Sequence, residues 1–334
     1  MDLELLEYRS RVCSSIRDFF SARAWLEADT PILAPDLIPE TCLEVFETAY
    51  RPPPGSRTRT ARPYWLVPSP ELWMKRIIAE HRKSVFQICK CFRNTESAGR
   101  FHSPEFTMLE YYAMDADYRD SLSLTEELFA FILENAPWPG AETAPLEPPF
   151  LRITMQEAFA RCAGIADLYA AAENGALGGE ARRLGLEPAD YLDTAALYDL
   201  IFIHAVEPRL PRDRPVALVD YPAFVPCLAK TGGGGKTRER WELYVRGIEL
   251  ANCYSEETEA EKVRAYFEDE GAAKQKTALV PHRLDDAYWK IFLPDGKGRP
   301  FPACSGVAMG LDRLIMALTG RSAIDAVLPF PMEA

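Results

Sequence analysis

The residues able to do chemistry concentrate between Val85 and Tyr112, in VFQICKCFRNTESAGRFHSPEFTMLEYY. Val85, Gln87, Cys89, Cys91 and Arg93 alternate with Phe86, Ile88, Lys90 and Phe92, the two-residue period of a strand, so Arg93 leaves it on the face of Val85. A polar, glycine-containing loop follows. Beyond it Phe106, Met108, Glu110 and Tyr112 share one face of a second strand, aiming aromatic rings and an acid into one space. Antiparallel pairing would set Arg93 beside that wall. A guanidinium is always charged and planar, so it can bridge two anions with fixed geometry.

Three further stretches carry functional groups. In Trp241 to Glu259, WELYVRGIELANCYSEETE, Glu242 and Glu249 stand seven apart, which on one straight strand puts them on opposite faces. A turn or bulge at Arg246-Gly247 is needed for both to reach one metal. Ser255-Glu256-Glu257 also reads as a capped acidic helix start. Ser305 to Arg313 passes from an apolar strand through glycine into a helix bearing Leu311, Leu314, Ile315 and Leu318, with small residues that let backbone close on a ligand. Ser69-Pro70-Glu71-Leu72 reads as another helix start, Ser69 capping and Pro70 at the first position, with Glu71 favoured by the helix dipole.

These strings together resemble a known family. FRN followed by RFHSPEFTMLEYY resembles motif 2 of class II aminoacyl-tRNA synthetases, in the lysyl branch, where the motif's arginine binds the amino-acid carboxylate and the ATP α-phosphate. Adenylate formation needs those two anions held together, which suits Arg93. The helix, turn and proline of residues 3 to 31 resemble motif 1, which implies a homodimer interface. SPELWMKR resembles the segment whose glutamate, here Glu71, meets the substrate amino group. ELANCYSE resembles the lysyl EIGNGFSE, which implies Asn252 as a substrate contact and Glu256 as the partner of a side-chain ammonium, with Glu110 and Tyr112 sharing that pocket. Glu242 and Glu249 would hold Mg²⁺ against the ATP phosphates, as hard oxygen ligands suit that ion. Arg313 falls where motif 3 carries the arginine that caps the γ-phosphate. Arg100 and His102 are expected at the β and γ phosphates and Phe106 under adenine. The loop from Thr95 to Arg100 is one residue longer than the lysyl pattern, and Ser103 stands where asparagine is usual, so no role is assigned to Glu96. Where lysyl enzymes carry GxGxG, this chain has Gly306, Ala308 and Gly310, a mark of the elongation factor P lysine ligase family.

The supporting elements follow from patterning. Leu5, Tyr8, Val12, Ile16 and Phe19 keep helical spacing over residues 3 to 24, ahead of a short strand at Ile32 and Leu33. Residues 51 to 63, proline- and arginine-rich, read as an irregular excursion. From Ser121 to about Arg209 the pattern is helical with proline- and glycine-rich links, the insertion between motifs 2 and 3. Val216 to Tyr221 returns as a core strand, and Lys230 to Lys236 reads as a flexible glycine connection without phosphate-loop spacing. The expectation is one α+β domain over 1–334, the class II synthetase catalytic fold with an antiparallel sheet flanked by helices.

At 334 residues, 48% hydrophobic and 26% charged, the composition is that of a globular protein. No run of about 18 apolar residues and no basic-then-apolar leader is present, so neither membrane nor secretion is indicated and the cytoplasm is expected. Eight scattered cysteines suit reduced thiols. The formal net charge of −12 leans away from a large RNA ligand. The chain starts almost at motif 1, with no anticodon-reading barrel before it. The resemblance therefore implies ATP- and Mg²⁺-dependent activation of lysine or (R)-β-lysine and its transfer to elongation factor P, without tRNA. A truncated enzyme charging tRNA or another small acceptor, or a non-catalytic amino-acid sensor, would use the same motifs.

Overall fold

The inward residues of the first helix, Tyr8, Val12, Ile16 and Phe19, are fully buried in α1 (Leu3–Ser21), and Asp2 caps it by accepting from the Leu5 N–H at 3.2 Å. The structure, a computed structural model, describes residues 2–55, 60–95 and 100–332. In order follow β1 (Leu26–Glu27), β2 (Leu33–Ala34), β3 (Glu47–Tyr50), β4 (Arg62–Leu66), α2 (Glu71–His81), β5 (Val85–Phe92), β6 (Glu105–Met114) and α3 (Tyr118–Asn135). Then come β7 (Leu151–Thr154), α4 (Met155–Ala163), α5 (Leu168–Glu173), α6 (Leu177–Arg183), α7 (Thr194–Ile201), β8 (Val216–Pro222) and β9 (Thr231–Gly232). The chain continues through β10 (Thr237–Val245), β11 (Ile248–Ser255), α8 (Ala260–Thr277), β12 (Cys304–Gly310) and α9 (Leu311–Thr319).

Among the described residues, nine strands form one sheet in the order β1-β5-β6-β12-β11-β10-β8-β7, with β9 on β10. Its centre, β5 through β8, is antiparallel. Its two ends are not: β1 pairs parallel with β5 and β7 parallel with β8, so the sheet is mixed. Helices α1, α3 and α9 pack one face over a core that includes Trp241, Tyr111 and Val307.

Four local expectations change. The short strand after α1 falls at Leu33–Ala34, one residue late, because Ala34 is the buried member of the pair. The 121–209 insertion contains β7, whose four residues are too few to show a period; Thr154 ends it with a capping box that starts α4. Lys230 to Lys236 is a short ordered hairpin rather than a free link, with Gly232 paired to Thr237. Ser69 does not cap α2, since the Pro70 carbonyl already accepts from Trp73 and Met74 N–H, both at 3.0 Å, and makes Pro70 the cap residue.

A buried clamp ties motif segments together. Asp312, 1% exposed, accepts from the Thr107 N–H and from Arg9, each at 2.6 Å, and Arg9 also donates to the Thr107 hydroxyl at 2.7 Å. Helix α1, strand β6 and helix α9 are thereby joined under the cavity described below. Removing the carboxylate strands a guanidinium and a backbone N–H, so Asp312→Ala should lower unfolding free energy by about 3 kcal/mol in urea titration. A change within experimental error would show that the clamp is not holding these elements.

Candidate active site

Strand register sorts the sheet into two chemically different faces. One row runs Gln87, Glu110, Ala308, Asn252 and Glu242 across β5, β6, β12, β11 and β10. Two residues along, the next runs Val85, Tyr112, Gly306, Tyr254 and Arg240. The row between them, Phe86, Tyr111, Val307, Cys253 and Trp241, is wholly in the apolar core. Period-two alternation thus puts acids, amide and phenols on one side and hydrocarbon on the other.

One irregularity completes the functional face. Arg246 and Gly247 form the two-residue turn between β10 and β11 with φ of 54° and 77°, the left-handed pair a tight hairpin requires. Tyr244 then faces Glu249, but Leu243 faces Ala251, so Leu250 is an extra residue. Glu249 and Asn252 are three apart and would face opposite ways on a regular strand. The bulge at Leu250 lets both line one cavity.

That cavity, about 140 Å³, is lined by Arg93, His102, Phe106, Glu249, Asn252 and Arg313 among others. A second, about 100 Å³, is lined by Glu40, Glu71, Glu110, Tyr112 and Glu256. Both share Arg93, Met108, Asn252 and Ala308 as walls, so the arginine stands where the two spaces meet. Its guanidinium lies over the Phe106 ring, 5.1 Å from the centroid. Arg313 is aimed by two backbone carbonyls, those of Phe101 at 3.0 Å and Glu249 at 2.9 Å, and lies 3.8 Å from the Glu249 carboxylate.

Charge is dense around the second cavity. Lys75, 2% exposed, donates to Glu71 at 2.6 Å and Glu256 at 2.7 Å. Burial works against its charge, but Glu256 and Glu71 more than reverse this and hold the ammonium well above its ordinary pKa. Burial pushes Glu256 up to about 7, with Lys75 pulling the other way. Glu110 accepts from the Tyr112 hydroxyl at 2.8 Å, and burial, then the charge of Glu71, push its carboxyl well above the usual range. Burial and the charge of Glu242 raise Glu249 to about 7. Glu242 itself is held by Arg240 at 2.5 Å and the Tyr244 hydroxyl at 2.9 Å.

Most sequence-predicted residues therefore converge: Glu71, Arg93, His102, Phe106, Glu110, Tyr112, Glu249, Asn252, Glu256, Ala308 and Arg313 line one cavity or the other. Arg100 does not; its Nε donates to the Ser322 carbonyl at 2.7 Å. Glu242 is not among the residues lining either cavity, although its charge acts on Glu249. Glu96 lies outside the described residues. Glu256 follows the end of β11 instead of starting a helix, because its N–H bonds the Cys304 carbonyl at 3.0 Å. Sequence reading missed Lys75, Glu40 and Asp312. For Lys75 a signal existed, a Glu71-to-Lys75 spacing of four on a helix; for Glu40, in an irregular loop, none did.

Residues 3–334 match the family model for class II tRNA synthetases (D, K and N). The chain is 36% identical to the elongation factor P–(R)-beta-lysine ligase of Avibacterium paragallinarum over 332 residues, 99% of this chain and 96% of that protein. It is 34% identical to the ligase of the same name from Photobacterium profundum and 32% to that of Pasteurella multocida, again over 99% of this chain and 96% of each relative.

Gly306 sets the room in the second cavity. A Cβ there would meet the Tyr112 ring and lie 2.5 Å from the Glu256 carboxylate. Gly306→Ala should weaken binding of a diamino acid at least tenfold, read by calorimetric titration, while nucleotide affinity stays within about twofold. Equal losses for both ligands would mean that the two cavities are not separate subsites.

Proposed function

The chain belongs to the class II (D, K and N) tRNA synthetases and, within them, to the elongation factor P–(R)-beta-lysine ligases, and we propose that it activates (R)-β-lysine or lysine with ATP and transfers it to a lysine side chain of elongation factor P. The observation that carries this reading is the wall common to both cavities: Arg93 stands between a space lined by acids suited to ammonium groups and a space suited to a triphosphate.

In the first half-reaction a carboxylate oxygen of the amino acid attacks the α-phosphorus of ATP, forming the acyl adenylate and releasing pyrophosphate. Arg93 would hold the two anions in line, and Arg313 and His102 would face the outer phosphates, with Phe106 under the base. Glu249, on the wall of the first cavity with Arg313, would hold a cation against the nucleotide, with Glu242 near enough for its charge to act on Glu249. Mg²⁺ held there would neutralise phosphate charge. Glu71, Glu110, Tyr112 and Glu256 orient the amines. In the second half-reaction a neutral ε-amine of the acceptor attacks the acyl carbon and AMP leaves. No covalent bond to the enzyme is needed.

In this reading residues 1–334 act as one catalytic unit, with 121–209 an insertion of unassigned role, working in the cytoplasm as translation-factor chemistry requires. A homodimer built on the segment after α1 is supported by the exposed apolar side chains of Leu26, Ile32 and Leu33. Among the described residues no helix is long and apolar enough to cross a membrane.

The deciding experiment offers unmodified elongation factor P and bulk tRNA separately to the enzyme with Mg-ATP and radiolabelled lysine or (R)-β-lysine. Label is expected on the protein, with more from the β isomer; label on tRNA alone would replace this reading with a tRNA-charging one. Arg93→Ala should reduce ATP–pyrophosphate exchange by about a thousandfold with an unchanged thermal midpoint. Exchange at the wild-type rate would remove Arg93 from the chemistry.

A further inference from the structure

The second cavity contains more acid than its motif residues account for. Glu40 lies on its wall, in the loop between β2 and β3, beside Glu71 and Arg93. The loop is pinned on either side of it: Leu37 N–H bonds the Arg283 carbonyl at 2.9 Å, and Thr41 gives both its N–H, at 2.7 Å, and its hydroxyl, at 2.5 Å, to Glu270. Glu40 is therefore held in place before any ligand arrives. Its Oε2 is sealed from solvent and accepts no hydrogen bond among the described residues. A buried acceptor without a donor is costly, and in a ligand cavity it marks where a donor is expected.

Charge balance says which donor. This step rests on the ligase reading, in which the substrate is a diamino acid with two ammonium groups and one carboxylate. Arg93 balances the carboxylate. Lys75 already bonds both Glu71 and Glu256, so those two acids offer the substrate one net negative charge between them. The second ammonium needs another anion. Glu110 is a poor choice: its carboxylate is already engaged by the Tyr112 hydroxyl at 2.8 Å, and burial and the charge of Glu71 favour its neutral form. Glu40 remains, and the charges that act on it most are those of Glu71 and Arg93, which mark the carboxylate end of the substrate.

We propose that Glu40 is a substrate-binding residue that receives the ammonium nearer the substrate's carboxylate. It accepts from that group through its carboxylate, Glu71 sharing the same cation. Burial, then the charge of Glu71, push the Glu40 carboxyl up to about 7, so an arriving ammonium would also complete its ionisation.

The test is a cycle of two proteins and two ligands. Wild type and Glu40→Gln are titrated calorimetrically with (R)-β-lysine and with 6-aminohexanoate, which keeps the carboxylate and the distal amine but lacks the other amine. Glu40→Gln should weaken the diamino acid about 10- to 100-fold, the loss of a charged hydrogen bond, and leave 6-aminohexanoate within about twofold. Equal penalties for both ligands, or none for either, would overturn the assignment. Glu40→Asp, which keeps the charge and should fold as wild type, is expected to fall between and decides the matter if the glutamine variant is unstable. Wild-type protein that binds neither ligand would remove the ligase reading itself, a result distinct from equal penalties in a binding-competent enzyme.

Discussion

Antiparallel register is the constraint on which this structure depends. Glu110, Ala308, Asn252 and Glu242 come from four strands, yet they form one line because each pairs with the next across β6, β12, β11 and β10. Their immediate neighbours Tyr111, Val307, Cys253 and Trp241 fill the core. A slip of one residue in β6 or β10 would bury a carboxylate in hydrocarbon and bring Tyr111 or Trp241 out of the core, a change that costs several kcal/mol at each position. The folding energy of the core and the arrangement of the chemistry are thus fixed by the same hydrogen bonds. The bulge at Leu250 is the local exception, and it lets a short strand present residues of both parities to one cavity.

The central hairpin was legible in the sequence because its alternation is regular from Val85 to Arg93 and from Phe106 to Tyr112, and the convergence of Arg93, Glu110, Tyr112, Glu249, Asn252, Glu256 and Arg313 followed from motif order. What stayed hidden was set by tertiary contact. Glu40 lies in a loop with no period, and only its anchoring to Glu270 and the Arg283 segment brings it to the cavity. Strand β7 is four residues long, below the length at which two-residue alternation can be told from chance, and it is identified by its pairing with β8. Arg100, a residue of the right type in the right motif, is drawn to the Ser322 carbonyl, and no local pattern indicates that.

The cavities are stabilised by charge as well as by shape. Asp312 joins three elements beneath the first cavity, and Lys75 joins helix α2 to the end of β11 beside the second. Four acids within one small space would repel one another if all were ionised. An internal cation reduces that repulsion, so the space can stay open and polar without a ligand.

Lys75 has one more consequence, which concerns selectivity among amines. An enzyme whose product is an amide on a lysine side chain must keep an activated acyl group from reacting with lysines of its own, and here one such side chain is buried against two acids, Glu71 and Glu256, that line the second cavity. Only an unprotonated amine has the lone pair needed for attack. Because Glu71 and Glu256 hold Lys75 protonated well beyond its usual range, its nitrogen is chemically silent toward the adenylate. The pair of carboxylates that flanks the second cavity thus also keeps this buried lysine in its non-nucleophilic form.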